Sequence, residues 1–230
     1  MIILSSLALK GVLEKSKGRF EQGLGESLDM QFDSTQAILP QLAGGFRADL
    51  LVLTAEAMED LRNRKFVTDS RPVGSSGVGV AVRAGARKPD IGSVEALKRS
   101  FAAASSVAHS KSGASGMYFS ELLERLELRL KKRIVVEKGP VGLVVAAGDA
   151  EIGVQLLCEL APVAGIDIVG PLPDPIQKTF HFCAGIPAGA ADPHGAAAMI
   201  DLLLTSPAAM RESGIEPATS AAPSPRRPTS

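Results

Sequence analysis

Short apolar runs alternate with segments of helical period along most of the chain. Several of these runs are apolar at successive positions, as in strands that helices cover on both faces. The predicted strands are Ile2–Leu4, Leu50–Leu53, Val78–Val82, Ile134–Val136, Ile152–Val154 and Ile166–Val169. Between them, apolar residues recur at helical spacing, in three stripes: Leu9, Val12, Leu13 and Phe20; Phe119, Leu122, Leu123 and Leu126; and Met199, Leu202 and Leu203. The alternation predicts an α/β fold with largely parallel sheets.

Two polar, Gly- and Pro-rich stretches divide this pattern. Asp69–Pro72 with Gly74–Gly77 form the first predicted break, and Gly170–Pro175 form the second. A chain that crosses twice between two bodies leaves a cleft where small ligands usually bind. We therefore expect residues 1–76 and 174–217 to form one lobe and residues 77–173 the other. Residues 218–230 lack Val, Leu, Ile and aromatic side chains, which predicts a disordered tail.

Composition narrows the function classes. Lys and Arg total 25, as do Asp and Glu, so the formal net charge is zero. This balance argues against nucleic acid or an anionic membrane surface as the partner. No apolar run approaches the roughly 20 residues of a membrane helix, so no membrane insertion is expected. The two cysteines, Cys158 and Cys183, have no metal-binding spacing and predict free thiols.

The start of the chain predicts a location. Met1–Leu4 run directly into Ser5 and Ser6, without the basic and apolar regions of an export signal. As written, the chain is expected in the cytoplasm. If preceding residues have been removed, the expected location is the periplasm. Phosphate-loop, dinucleotide, zinc-protease and serine-hydrolase signatures are also missing, so no cofactor is predicted.

Small hydroxyl residues recur where predicted strands give way to helices. Ser5-Ser6, Ser34-Thr35 and Ser112–Gly116 each occupy such a junction. Ser and Thr are ordinary helix N-caps, so each alone has a structural explanation. The same helix N-termini present backbone N–H groups that favour anions. Three junctions split between two lobes therefore predict a site for an oxyanion or a carboxylate at the carboxyl ends of the strands.

The order of these motifs resembles the molybdate-type periplasmic solute-binding proteins, which are two-lobed type II binding proteins of ABC transporters. The similarity covers about residues 2–217 and rests on Leu4–Leu7, Phe32–Thr35, Ala48-Asp49, Val78–Gly85, Ser112–Tyr118 and Gly148–Gln155. It implies that Ser5 or Ser6, Ser34 or Thr35, and Ser115 with Gly116 hold the ligand. It also implies a transporter permease as partner, if the protein is exported.

The chain departs from molybdate binders at two positions. Asp33 precedes the second hydroxyl pair, where a carboxylate would repel a dianion. Gln155 lies in the region where many molybdate binders have a tyrosine, and its amide both donates and accepts hydrogen bonds. Both differences favour a carboxylate ligand over molybdate. Parts of the sequence, including Gly139–Val145 and Ala164–Gly170, look more like aconitate isomerase, which has this fold and moves a proton across an allylic system.

Two residues are candidates for proton transfer if the protein is an enzyme. Asp33 adjoins the predicted anion site, although an aspartate at a helix start is also a common N-cap. His109 follows the strand at Val107-Ala108 and is interpreted either as a proton carrier or donor at the cleft rim or as a loop histidine. Tyr118 is expected in the core and His194 at an exposed helix start. His181 and Cys183 share one face of a strand, but two ligands do not make a metal site.

Overall fold

The computed structural model describes residues 1–219, which alternate between strands and helices. The helices are α1 (Lys10–Leu24), α2 (Thr35–Ala43), α3 (Ala55–Asn63), α4 (Val94–Ala103), α5 (Ala114–Arg125), α6 (Val141–Ala147), α7 (Leu157–Leu160), α8 (Pro193–Leu204) and α9 (Pro207–Glu212). The strands are β1 (Ile2–Ser6), β2 (Asp29–Asp33), β3 (Leu50–Thr54), β4 (Val67–Arg83), β5 (Val107–Ser110), β6 (Arg133–Val136), β7 (Ile152–Leu156), β8 (Ile166–Pro171), β9 (Thr179–Pro187) and β10 (Glu216–Pro217). Short 3-10 turns lie at Leu7–Leu9 and Asp174–Ile176.

The main strands follow the order β2-β1-β3-β9-β4-β7-β5-β6. β1 pairs in parallel with β2 and β3, and β5 pairs in parallel with β6 and β7. The antiparallel pairs all involve β4 or β9, and of these two strands β4 pairs in both lobes. The result is the two-lobed α/β fold with helices on both faces that the sequence predicts.

β4 changes its partner along its length. Its register with β9 ends at the pair Gly77 and Thr179, and its register with β7 begins at Val78 and Leu156. We call β1, β2, β3, β9, β10 and the first part of β4 the first sheet. The second part of β4 with β5, β6, β7 and β8 is the second sheet. The partner change supports the lobe boundary that we propose at residues 76 and 77.

The break predicted at residues 69–77 is wrong. Those residues belong to a single 17-residue strand, and their backbone pairs with β9 as far as Gly77. The register shifts between Pro72 and Gly74, so the irregularity that proline introduces is confined to one bulge. The hydrogen bonds of a long tertiary ladder outweigh the local turn preference of Ser, Gly and Pro.

Helices cover both faces of β3, as its apolar sequence predicts. Leu50, Leu51, Val52 and Leu53 are fully buried. Leu50 and Val52 belong to one core cluster with the stripe of α1, whereas Leu51 and Leu53 belong to a second cluster with apolar residues of α2 and α3. This packing fixes the ends of the strands and the helix starts that follow them.

The end of the described chain is tied to the first sheet. β10 pairs with β4, and Ala218 donates its N–H to the Val73 carbonyl oxygen at 2.9 Å. Ala218 is therefore not part of a free tail. Of the other residues predicted as a tail, 220–230 lie outside the described residues. None of the helices within residues 1–219 combines the length and apolar character needed to cross a membrane.

Candidate functional site

A cavity of about 300 Å³ lies between the two sheets, where strands end and helices begin. The first sheet and its helices contribute Ser6, Asp33, Ser34, Thr35, Thr54, Glu56, Lys178, Phe180 and Phe182, and the second contributes Ser110, Ser112, Gly113, Met117, Val136, Glu137, Lys138, Gln155 and Glu159, among others. These residues come from distant parts of the sequence. The fold brings them together because the carboxyl ends of its parallel strands face the gap between the lobes.

Two buried hydroxyl groups of the cavity wall have no hydrogen-bond partner within residues 1–219. They are the Oγ atoms of Ser6, at the end of β1, and Ser110, at the end of β5. A buried polar group without a partner costs about 1–3 kcal/mol, so such groups are uncommon in folded proteins. Their presence on opposite walls of one cavity indicates a polar ligand.

The two walls approach each other at Ser34 and Ser112. The Oγ of Ser34 accepts the N–H of Ala37 at 3.2 Å, which makes Ser34 the N-cap of α2. The same oxygen lies 3.5 Å from the Oγ of Ser112 in the turn before α5. Ser34 is thus a structural cap and also part of the cavity wall, and its neighbour Thr35 lines the cavity beside it.

Two of the longer helices, α3 and α5, direct uncapped N-termini at the cavity. Thr54 and Gly113 occupy the N-cap positions of α3 and α5, and neither cap makes a side-chain hydrogen bond. The first N–H groups of a helix have no partner within the helix and carry partial positive charge. Both caps line the cavity, so these two points of its wall favour negatively charged groups.

Lys178 places a cation at the mouth of the cavity. Its Nζ lies 5.3 Å from the centre of the Tyr118 ring and 5.1 Å from that of Phe180. Cation–π contacts with two rings restrict where the ammonium group can move. Within residues 1–219, no carboxylate comes within ion-pair distance of Lys178, whereas Glu137 is bound by Lys111 at 2.9 Å. The ammonium group of Lys178 can therefore bind an anion in the cavity.

Gln155 and Glu159 form a fixed pair on the wall of the second sheet. The Val141 N–H donates to Gln155 Oε1 at 2.8 Å, which turns the amide nitrogen of Gln155 toward Glu159. That nitrogen donates to Glu159 Oε2. Burial raises the pKa of Glu159 to about 7, although the hydrogen bond from Gln155 opposes the shift. The sequence predicts Gln155 but misses Glu159, which lies in the short helix α7 directly after β7.

The predicted site residues divide into two groups. Asp33, Ser6, Ser34, Thr35 and Gln155 line the cavity, and Asp33 Oδ1 accepts the Ser34 N–H at 2.7 Å. The residues that do not line the cavity are Ser5, His109, Ser115 and Gly116. A ligand role for this second group stays a prediction without a cavity contact to support it.

Local packing accounts for two of these four, Ser5 and Gly116. The Oγ of Ser5 donates to the Ser6 carbonyl oxygen at 3.0 Å. Ser115 is 1% exposed, with no partner for its hydroxyl among the described residues. Gly116 lies directly against the backbone of Ser110, so closely that a Cβ atom would not fit.

His109 is buried, and its predicted place at the cleft rim is wrong. Its Nε2 accepts the Nε–H of Arg133 at 2.7 Å, its Nδ1 lies 2.8 Å from the Ser110 carbonyl oxygen, and its ring packs on Phe119. Burial lowers the pKa of His109. The bond to Ser110 raises it, and the positive charge of Arg133 lowers it further. These contacts hold a neutral imidazole in the core of the second lobe.

This lowered pKa predicts a loss of stability in acid. The unfolded chain binds a proton to His109 near pH 6.5, whereas the folded protein does so only at lower pH. The stabilising contribution is therefore complete above about pH 6.5 and is lost as the pH falls toward the folded pKa. Urea unfolding of His109→Gln between pH 7 and 5 should show a weaker pH dependence than wild type. The exposed His194→Gln serves as control, and parallel curves for wild type and His109→Gln would contradict the prediction.

The remaining sequence predictions concern structural residues. Tyr118 packs in the core and donates its hydroxyl to the Ile176 carbonyl oxygen at 2.7 Å, as predicted. His194 is exposed in the first turn of α8, also as predicted. Both cysteines are free thiols. Within the described chain, no group of three His, Cys, Asp or Glu side chains is arranged to hold a metal ion.

Comparison with known proteins identifies the family. The model of the bacterial extracellular solute-binding protein family matches residues 2–213. An aconitate isomerase from Pseudomonas sp. is 36% identical over 230 residues, covering 94% of this chain and 87% of that protein. The periplasmic molybdate-binding protein of Azotobacter vinelandii superposes with a TM-score of 0.74 at 17% identity, covering 94% of this chain and 98% of that one. The sulfate-binding protein SubI from Mycobacterium tuberculosis superposes with a TM-score of 0.71 at 16% identity, covering 96% and 87%. The resemblance predicted from the hydroxyl motifs is confirmed: the chain belongs to the bacterial extracellular solute-binding protein family.

Proposed function

We propose that the interlobe cavity binds a small carboxylate. The observation that carries this proposal is the pair of buried, unpartnered hydroxyls of Ser6 and Ser110, one on each wall of the same cavity. A ligand with carboxylate oxygens would satisfy both hydroxyls and bring the lobes together. The uncapped N-termini of α3 and α5 and the ammonium group of Lys178 add positive potential to the same space.

The lining favours a carboxylate with a carbon skeleton over a tetrahedral oxyanion. The cavity volume of about 300 Å³ is at the lower end of the range for organic ligands, which is about 300–1,000 Å³. Leu7, Met117, Val136 and Phe180 add apolar surface that carbon atoms can contact. The carboxylates of Asp33 and Glu159 disfavour a compact dianion, whereas a longer ligand can place its charges away from them.

A second candidate function is the interconversion of cis- and trans-aconitate. The relative that is 36% identical over 94% of the chain has this name. Glu159 also lines the cavity, and its pKa of about 7 suits acid–base chemistry at neutral pH. Solute binding and isomerisation would use the same carboxylate site, so the second function adds turnover to the first.

A membrane transporter is the partner that binding would require. One of the similar structures is the substrate-binding domain of a molybdenum ABC transporter from Clostridium difficile, with a TM-score of 0.70 at 15% identity over 95% of this chain. We propose a permease of that class as partner and the periplasm as location for a solute-binding role. A role in isomerisation would need neither.

A thermal-shift screen tests the proposed ligand class. The panel contains citrate, cis-aconitate, trans-aconitate, molybdate, tungstate and sulfate. A ligand at about 100 times its Kd should stabilise the protein by about 2.7 kcal/mol. We expect that shift from at least one carboxylate. A shift with molybdate or sulfate alone would overturn the carboxylate preference, and no shift with any member would overturn the proposed function.

Lys178→Met should weaken binding of the ligand found in that screen. Methionine keeps most of the apolar stem but removes the charge that faces the cavity. Because Lys178 is exposed, we expect an increase in Kd of about tenfold, equivalent to about 1.4 kcal/mol. The difference from wild type should shrink at high salt. Isothermal titration measures it, with the exposed Lys132→Met as control. Equal affinities of wild type and Lys178→Met would contradict the assignment of Lys178.

A further inference from the structure

Glu159 is held on the cavity wall through one of its two carboxyl oxygens. One of its oxygens, Oε2, accepts a hydrogen bond from Gln155, and Gln155 is itself oriented by the Val141 N–H. The other oxygen, Oε1, has no hydrogen bond within residues 1–219. The side chain lines the cavity, so the carboxyl group is fixed on one side and open to a ligand on the other.

No cation neutralises Glu159. Within the described residues, no Lys, Arg or His nitrogen lies within 4.0 Å of it, whereas Glu137 and Glu212 are paired with Lys111 and Lys15. The other charged residues of the cavity wall are Asp33, Glu56, Glu137, Lys138 and Lys178. Burial is the main cause of the raised pKa of Glu159, and this pKa of about 7 allows both protonation states at neutral pH.

A structural role does not require this arrangement. A glutamine at position 159 could accept the same hydrogen bond from Gln155 without the free-energy cost of burying an ionisable group. What a carboxyl group adds is the capacity to take up and release a proton. Ser6 and Ser110 have unpartnered hydroxyls on the walls of the same cavity, so a bound carboxylate would lie beside this group.

We propose that Glu159 is the acid–base group of the cavity and moves a proton between two carbons of an unsaturated tricarboxylate, with Gln155 as the residue that positions it. This inference rests on the proposed carboxylate binding. It assigns the proton transfer to a residue that the sequence motifs do not reveal, in place of Asp33 and the buried His109.

The reaction needs no other reactant. The ionised Glu159 takes a proton from the methylene carbon next to the double bond, and the electron pair of that C–H bond enters the allylic system. The former double-bond electrons become available at the far carbon, which takes the proton back from Glu159. One C–H bond is broken and one is formed, the double bond moves by one position, and there is no net oxidation or reduction. Hydroxyls that bind the carboxylates also stabilise the charge of the intermediate.

The test follows trans-aconitate in D₂O by proton NMR with the full chain. Wild type should exchange the methylene and vinyl protons for deuterium and form cis-aconitate. Glu159→Gln should lower both rates by about a hundredfold or more, because an amide cannot carry the proton. The thermal shift given by trans-aconitate should be retained in this variant, and Glu121→Gln, exposed on α5, should behave as wild type.

The pH dependence of kcat/KM distinguishes proton transfer by Glu159 from a purely structural role, which would not affect it. In wild type, kcat/KM should fall as the pH drops through about 7, where Glu159 becomes protonated. Gln155→Met should move this midpoint to higher pH, since the amide hydrogen bond favours the ionised carboxylate. A wild-type profile that is flat between pH 6 and 8 would overturn the assignment even if Glu159→Gln failed to fold.

The outcomes separate this inference from the proposed function. Stabilisation by trans-aconitate without deuterium exchange in wild type would overturn the role of Glu159 and leave carboxylate binding intact. Exchange by Glu159→Gln at the wild-type rate would do the same. Absence of stabilisation by any carboxylate would overturn both proposals.

Discussion

Ser6→Ala combined with Ser110→Ala is expected to remove most of the ligand-induced stabilisation of the protein. A hydrogen bond to a charged group contributes about 1.5–3 kcal/mol, so the loss of two should raise Kd by roughly a hundredfold or more. At a ligand concentration of about 100 times the wild-type Kd, stabilisation should fall from about 2.7 to about 0.4 kcal/mol. Differential scanning fluorimetry with the ligand found in the carboxylate screen measures this change.

The same double variant should fold at least as well as wild type without ligand. Both hydroxyls are buried and have no partner in the described chain, so alanine removes a polar group that the fold does not satisfy. Ser5→Ala is the control that distinguishes the role of Ser6 from that of its neighbour in β1. The hydroxyl of Ser5 is bonded to the Ser6 carbonyl oxygen and does not line the cavity, so we expect its loss to leave ligand affinity nearly unchanged. Full ligand stabilisation in the double variant, or its loss in Ser5→Ala alone, would show that the hydroxyls are assigned wrongly.

The sequence predicts where strands end better than which side chains face the gap. Ser6, Asp33 and Ser34 follow apolar strand segments, and parallel strands bring their carboxyl ends to one edge, so their place at the cavity is predictable. Successive side chains of a strand point to opposite faces. At the end of a strand, the sequence alone does not tell which of two neighbouring side chains faces the cavity. For that reason Ser5 and Ser6 stay alternatives until the structure distinguishes them, and His109 turns into the core whereas Ser110 reaches the cavity.

Residues that reach the cavity through long-range pairing are beyond prediction from local motifs. Lys178 directly precedes β9, and its position depends on the pairing of that strand with β3 and β4. One of the two aromatic contacts of Lys178 is with Tyr118, which is distant in sequence. Local turn propensity misplaces a break in residues 69–77 for the same reason, because the partner that makes them a strand is about a hundred residues away.

Gly116→Ala is expected to destabilise the folded protein whether or not a ligand is bound. A Cβ atom at this position would lie 2.7 Å from the Ser110 carbonyl carbon and closer still to its oxygen. Backbone atoms cannot move aside as a flexible side chain can, so α5 would have to shift away from β5. Overpacking of this kind costs about 3 kcal/mol, which corresponds to a Tm lower by about 6–12 °C for a protein of this size.

Gly18→Ala is the matched control, because nothing lies within 4 Å of a Cβ atom at this exposed position of α1. There the same change should leave Tm unchanged or raise it, since alanine favours a helix by up to about 1 kcal/mol over glycine. Alanine keeps the backbone N–H of residue 116, so a role limited to donating that N–H to the ligand would leave Tm unaltered. A wild-type Tm together with lost ligand binding would instead mean that the ligand needs the space left by glycine at position 116. We expect neither, because the close contact between Gly116 and Ser110 sets the distance between α5 and the strand that carries a cavity hydroxyl.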